Sequence, residues 1–125
     1  MTTITKTLLR RKGACDDQLD KFVELFPEGV VVTETLCIEH ASVFSWDWAA
    51  SHLLSPPAFA EYNRVTAAAL AEYVRVRAAA RDEYVPVRVR MTAAARDEYD
   101  RVIAAAFAEY VRVTAATFGR LAEKE

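Results

Sequence analysis

The sequence is poor in the residues that build tight turns, and this argues against a β-rich fold. Its 125 residues include only three glycines and four prolines, and alanine supplies much of the 53% hydrophobic content. Such a composition favours helices. We therefore predict an all-α protein with a modest core, because a chain of this length buries little volume.

Neither an excess of one charge nor a long apolar run is present. Sixteen basic residues against eighteen acidic ones leave a formal net charge of -2, which argues against a polybasic nucleic-acid surface. No uninterrupted run of about eighteen apolar residues occurs, and the segment 1–12 lacks the apolar core of a signal peptide. We expect a cytoplasmic protein without a membrane segment, in which Cys15 and Cys37 are free thiols.

A repeated phrase fills the second half of the chain. Its units begin at Phe59, Leu70, Arg96 and Phe107, and each carries Glu-Tyr followed by Arg-Val at fixed offsets. Eleven residues make about three helical turns plus about 20°, so a residue recurring at that interval stays near one face. The repeat therefore predicts amphipathic helices, with a stripe of tyrosines and valines on one side and Glu/Arg pairs at i, i+3 on the other.

The repeat is interrupted once, between residues 85 and 90, where four extra residues and Pro86 enter. Proline removes a helical hydrogen bond and clashes with the preceding turn. We expect either a helical hairpin or a long helix kinked at Pro86, and the hairpin is favoured because it hides both stripes. The predicted organisation is a small helical domain over residues 1–55 and a helical repeat arm over 56–125, whose stripes also allow a homo-oligomer.

Short helices with recognisable caps are predicted in the first half. Thr5 or Thr7 begins one that ends at Gly13, and Thr33 begins another. The acidic pair at 16–17 opens a helix that closes before Pro27, and Ser42 or Ser45 precedes the helix containing both tryptophans. The valine run 30–32 is too short to found a sheet, so it predicts an extended link that is paired at most once.

No catalytic or metal-binding constellation emerges. Cys37 and His40 at i, i+3, with Cys15 and His52, are potential zinc ligands, but no second close pair exists and a buried thiol with ordinary histidines is the better interpretation. A nucleophile pair from Cys37 and His40 lacks an orienting acid. We predict no enzyme activity, no metal and no cofactor.

Two sets of residues are candidates for binding a macromolecule. Trp46 and Trp48 flank Asp47 and resemble an interface hot spot, although Trp46 also suits a core position. The other set is the stretch with a basic bias, which is the candidate for contact with nucleic acid or protein. The tyrosines offer a stacking ladder for single strands, but a helix partner would bury them. The basic stretch contains Arg77, Arg81, Arg88, Arg90 and Arg96.

The chain resembles small proteins encoded by tailed bacteriophages and prophages. The likeness rests on Cys15, Cys37, the phenylalanines of the first half, the segment Phe44-Ser-Trp-Asp-Trp and the Ala-Glu-Tyr-x-x-Val-x-Ala-Ala-Ala units. It implies no particular activity and transfers no functional residue. We expect an interaction protein in the host cytoplasm that binds a host or phage protein, foremost as an anti-CRISPR-like inhibitor of a host defence complex. The alternatives are a self-assembling or virion-associated protein and a nucleic-acid-binding protein.

Overall fold

The predicted all-α class is confirmed. The computed structural model describes residues 1–84 and 92–125. Within them it contains six helices and one pair of two-residue strands. Four short helices precede two long ones, and the long ones account for most of the described chain. In order, the elements are β1 Thr3–Ile4, α1 Lys6–Arg11, α2 Asp16–Leu25, β2 Val30–Val31, α3 Glu34–Glu39, α4 Trp46–Leu53, α5 Pro56–Tyr84 and α6 Ala93–Glu123.

Local side-chain chemistry sets the ends of the short helices. The Thr5 hydroxyl accepts a hydrogen bond from the Leu8 N–H at 3.1 Å, and Thr33 does the same for Leu36 at 3.1 Å. Gly13 follows α1 with a φ of 87°, a backbone conformation that L side chains rarely adopt. Between the two predicted caps for α1, the structure therefore uses Thr5 rather than Thr7.

The valine run forms the single pairing that its length allows. β2 lies antiparallel to β1, with Thr3 opposite Val31 and Ile4 opposite Val30. The Val32 N–H continues the pairing by donating to the Thr2 carbonyl at 2.9 Å, and the Val32 side chain is fully buried. The extended link is thus confirmed, although its partner at the N-terminus was not predicted.

The two long helices form an antiparallel hairpin, which settles the choice between a hairpin and a kinked rod. The Tyr73 ring of α5 lies 5.7 Å from that of Phe107 and 6.0 Å from that of Tyr110 on α6. Tyr62 and Ala80 on the same stripe are buried. The predicted break at Pro86, with Arg88 and Arg90, lies outside the described residues.

The last turns of α6 complete the core of the N-terminal region. Phe118 is 1% exposed and its ring centroid lies 5.7 Å from that of Trp46. Further along, the Ala122 carbonyl accepts a hydrogen bond from the Thr2 hydroxyl at 2.8 Å, and the Glu123 carboxylate accepts one from the Glu34 N–H at 2.7 Å. Residues on both sides of position 55 therefore share one hydrophobic core.

Helix α6 is long and apolar enough, by length and composition alone, to cross a membrane. Core helices of soluble proteins meet the same criterion, so the finding is weak evidence for a membrane location. Phe118, Leu121 and Ala122 on this helix are buried in the core. Insertion of α6 into a bilayer would dismantle that core.

Candidate protein-binding face

One side of the hairpin arm carries the ion pairs that the repeat predicts. Within each helix, a glutamate pairs with the arginine three residues later, and these i, i+3 pairs are confirmed. Because their side chains are largely exposed, they contribute little to stability. The pairs are Glu61/Arg64 at 2.5 Å, Glu72/Arg75 at 2.5 Å, Glu98/Arg101 at 3.7 Å and Glu109/Arg112 at 3.9 Å.

The charged sides of α5 and α6 face the same way. Glu72 and Glu109 line one shallow groove between the helices. The hydrogen bond from Arg64 holds the pKa of Glu61 below its usual value, and the positive charges of Arg120 and Lys124 at the end of α6 lower it slightly further. The hairpin therefore has a polar face, defined by its Glu/Arg pairs, and an opposite face with a different composition.

The opposite face exposes large apolar side chains. Leu70, Val74 and Phe107 are 44%, 43% and 51% exposed. At about 100° per residue, Leu70 and Val74 lie about 80° and about 120° around α5 from Tyr62, away from Glu72, and Phe107 is rotated in the same sense from the stripe of α6. In an antiparallel pair, equal rotation places these residues on one side. We call Leu70, Val74 and Phe107 the apolar arm face.

The apolar arm face continues a surface that is buried further down the arm. The flank of α6 that carries Phe107 also carries Ala115, Phe118 and Ala122, which are buried where α3 and α4 pack. Exposed alanines surround the three large side chains and leave the backbone approachable. By the same angular rule, these alanines are Ala67, Ala71, Ala104 and Ala108.

The arginines of the basic stretch that the structure describes lie towards the far end of this side. The guanidinium of Arg77 sits 5.4 Å from the centroid of the Tyr73 ring, a cation–π distance. Arg81 and Arg96 are exposed, and by rotation they belong to the same side as Phe107. Asp100 falls there as well. The far end of the apolar arm face is therefore of mixed charge.

The two tryptophans lie in the N-terminal region, away from those arginines. Trp46 is buried and its indole N–H donates to the Ala41 carbonyl at 2.8 Å. Trp48 is half-buried and stacks on His52 at 4.4 Å between ring centroids. Helix α4 meets α5 where the Tyr62 hydroxyl donates to Asp47 at 2.6 Å, and Arg77 is about 22 Å further along α5. The structure therefore does not bring the tryptophans into one patch with Arg77, Arg81 and Arg96, the arginines of the basic stretch that it describes.

The potential zinc ligands do not assemble. Among the described residues, no group of three or more His, Cys, Asp or Glu side chains is placed to hold a metal ion. Burial, with smaller contributions from the carboxylates of Glu123 and Glu34, raises the pKa of the Cys37 thiol to about 12. At neutral pH this thiol is protonated and enclosed, which suits a packing role and not a nucleophile.

We expect the two thiols to differ sharply in reactivity. Cys15 is exposed and Cys37 is buried, so a thiol reagent at pH 8 should label one cysteine per native chain and the second only after unfolding. Mass spectrometry of the labelled peptides identifies which cysteine reacted. Rapid native labelling of Cys37 would contradict the packing of α3 against α6, and Cys15→Ser provides the control in which native labelling disappears.

The helical projection missed the exposure of the apolar arm face. It placed Leu70 and Phe107 in the packing stripe, about 80° from its centre, whereas the narrow contact between two helices covers mainly Tyr62, Tyr73 and Ala80. Val74 fell outside the stripe altogether. The signal in the sequence was the position of Leu70 and Phe107 at the edge of the stripe, next to alanines.

Comparisons with known proteins add no assignment. No protein-family model matches the chain, and no curated protein and no solved structure is significantly similar to it.

Proposed function

We propose that this is a non-enzymatic interaction protein that binds another protein through the apolar arm face. The observation that carries the proposal is the cluster of Leu70, Val74 and Phe107 on one side of the hairpin, each more than two-fifths exposed. Contiguous exposed apolar side chains mark interaction sites on soluble proteins, and interface cores are enriched in aromatic residues.

The shape of this face suits a helical segment of the partner. Alanines on both sides of the large side chains permit close approach of a second backbone, and an amphipathic helix places its own apolar residues at i, i+3, i+4 and i+7. Arg77 and Arg81 on the same side supply positive charge near the far end. Asp97 and Asp100 lie there too, so the far end offers both charges, and an amphipathic helix with an apolar centre is the partner chemistry that matches the face.

The biological class follows from the resemblance to phage-encoded proteins. In this proposal the chain is a small cytoplasmic phage protein that acts on a host defence complex as an anti-CRISPR-like inhibitor. Trp48 in the N-terminal region remains a secondary contact residue in this proposal, since its ring is half-buried.

Two experiments test this function together. Affinity purification of the tagged chain from host lysate, followed by mass spectrometry, should recover one host protein in stoichiometric amount. Expression of the chain in a host with active CRISPR immunity should raise the plating of a targeted phage by orders of magnitude. Recovery of no stoichiometric protein, together with unchanged restriction of the phage, would contradict the proposal.

Self-assembly is the second candidate, and the same apolar side favours it. Two hairpins that cover each other's apolar arm faces form a four-helix arrangement with an isologous interface. Sedimentation equilibrium at about 10 µM distinguishes the candidates, since this concentration is well above the Kd of a stable dimer. A strict monomer there contradicts self-assembly and leaves the face open to another partner.

Nucleic-acid binding is supported less well by the arrangement of charge. Arg77, Arg81 and Arg96 lie on one side of the arm, but Asp97 and Asp100 accompany them. A phosphate-binding surface requires an uncompensated positive stripe, and its affinity falls steeply as salt rises. Retention on a nucleic-acid column that disappears with moderate salt would favour this alternative.

A further inference from the structure

The N-terminal region contains an apolar cavity of about 280 Å³. The pair α1–α2 lies on one side of it, and α3, α4 and α6 lie on the other. The two sides are joined by the β1–β2 pairing and by Gln18, whose side chain accepts from the Ser45 N–H at 2.9 Å and donates to the Val43 carbonyl at 3.4 Å. Side chains from the two sides do not fill the space between them.

Aromatic rings make up much of the cavity wall. They come from α2, from the segment before α4, from α4 itself and from α6, so rings surround the space from several directions. Aromatic faces and edges favour a planar aromatic guest through stacked and edge-to-face contacts. The rings are those of Phe22, Phe26, Phe44, Trp46, Trp48 and Phe118.

The size of the cavity limits what it can hold. An engineered apolar cavity of about 150 Å³ accepts one benzene. A volume of 280 Å³ is nearly twice that, which fits two fused rings. A flexible acyl chain loses conformational freedom on binding, which a rigid bicyclic guest does not, so the rigid guest is favoured.

One polar group on the wall has an unmet requirement. His40 lines the cavity and its ring stacks on Phe26 at 5.4 Å between centroids, yet its Nδ1 is buried and has no hydrogen-bond partner in the described part of the chain. An enclosed ring nitrogen without a partner is unfavourable. A guest with one polar ring atom supplies such a partner when the imidazole turns towards it.

The turn between α1 and α2 provides the entrance. Gly13, Ala14 and Cys15 all line the cavity, and Gly13 and Cys15 are exposed. A Cβ built on Gly13 meets no atom within 4 Å, so the space beside this turn is open. A small molecule reaches the cavity at this turn without disturbing the hairpin.

We infer that the cavity is a binding site for a planar bicyclic aromatic molecule with one polar ring atom, which hydrogen-bonds His40. The site is separate from the apolar arm face and does not depend on the proposed function. A bound molecule contacts both sides of the N-terminal region. Because it binds only the folded chain, it also stabilises the fold.

Three probes of nearly equal shape test the inference on the full chain. Indole donates a hydrogen bond, benzofuran accepts one weakly and indene does neither. Isothermal titration should show 1:1 binding of indole with a Kd of about 10 µM to 1 mM, a range within reach of a nine-atom ligand. The better of indole and benzofuran should bind about 2- to 10-fold more tightly than indene, as expected for one neutral hydrogen bond.

Matched variants assign the binding to this cavity. Ala14→Phe places a ring in the cavity at its entrance and should weaken indole binding at least about tenfold, which corresponds to loss of about 1.4 kcal/mol. Ala58→Phe changes another half-buried alanine that does not line the cavity and should leave the affinity unchanged. His40→Phe should abolish the preference over indene. Circular dichroism melting confirms that each variant folds.

The outcomes separate clearly. Bound indole should also slow the alkylation of Cys15 at the entrance. No measurable binding of any probe at about 1 mM, where a Kd of about 1 mM would already give half occupancy, or equal loss of binding in Ala14→Phe and Ala58→Phe, overturns the site. Equal affinities for the three probes in the native chain overturn the role of His40.

Discussion

Replacement of Phe118 by alanine is expected to lower the free energy of unfolding by about 3 to 5 kcal/mol. Its ring is 1% exposed and packs 5.7 Å from the Trp46 ring. It also lines the apolar cavity, so truncation enlarges a space that the surrounding helices already leave unfilled. Because Phe118 lies on α6, the loss should weaken the packing of the end of the arm against the N-terminal core.

Phe107 on the same helix provides the matched control. The same truncation there removes a ring that is 51% exposed, and we expect a loss below about 1 kcal/mol. Urea denaturation followed by circular dichroism measures both variants. Similar losses for the two would contradict the location of the core at the C-terminal end of α6.

The second large effect is expected at Gly119. A Cβ at this position would lie 2.8 Å from the Glu34 Cα, 2.9 Å from the Thr33 carbonyl oxygen and 3.0 Å from the Cys37 Sγ. Two of these atoms belong to the backbone of α3 and its cap, so they cannot move without shifting the helix. Gly119→Val should destabilise the protein by about 3 kcal/mol, at the upper end of the usual cost of overpacking.

Helix propensity alone predicts a different outcome. Valine is a better helix former than glycine, so an exposed Gly→Val change would be neutral or stabilising. Ala104→Val, at an exposed position of the same helix, reports the cost of introducing valine and should remain below about 1 kcal/mol. If thermal melting ranks Gly119→Val as no worse than Ala104→Val, the close contact between α3 and α6 is wrong.

Much of the fold could be predicted because its signals are local. The hydroxyls of Thr5 and Thr33 cap the nearest helix, and the Glu/Arg pairs at i, i+3 need only a helix to meet. The eleven-residue spacing of the tyrosines fixed the stripe that buries Tyr62. These features depend on residues that are close in sequence, so the sequence pattern predicts them.

The remainder depends on contacts between distant residues. The sequence around Gly119 does not indicate that α3 packs against it, because Glu34 and Thr33 are far away in sequence. The strand Thr3–Ile4 was likewise not predicted, because it is defined only by its pairing with Val30 and Val31. The roles of such residues depend on tertiary contacts, and local propensity does not predict them.

The candidate sites show the same division. A projection on one helix located Leu70 and Phe107 at the edge of the stripe, but their exposure depends on how much of that edge the partner helix covers. The cavity is lined by side chains of α1, α2, α3, α4 and α6, and no sequence pattern records a space left between such elements. The sequence offered Trp46 as an interface hot spot or, better, as a core anchor, and the residue lies in the core.

The central claim is that the apolar arm face binds a protein. Its most direct test compares two double variants in the affinity purification from host lysate: Leu70→Gln with Val74→Gln, and Leu25→Gln with Val31→Gln. The second pair is matched, because Leu25 and Val31 are 43% and 44% exposed in the N-terminal region. We predict that the native chain and the matched pair retain the stoichiometric host protein while the arm variant loses at least about nine-tenths of it, a tenfold weakening. Equal recovery by both double variants would contradict the assignment of binding to the arm.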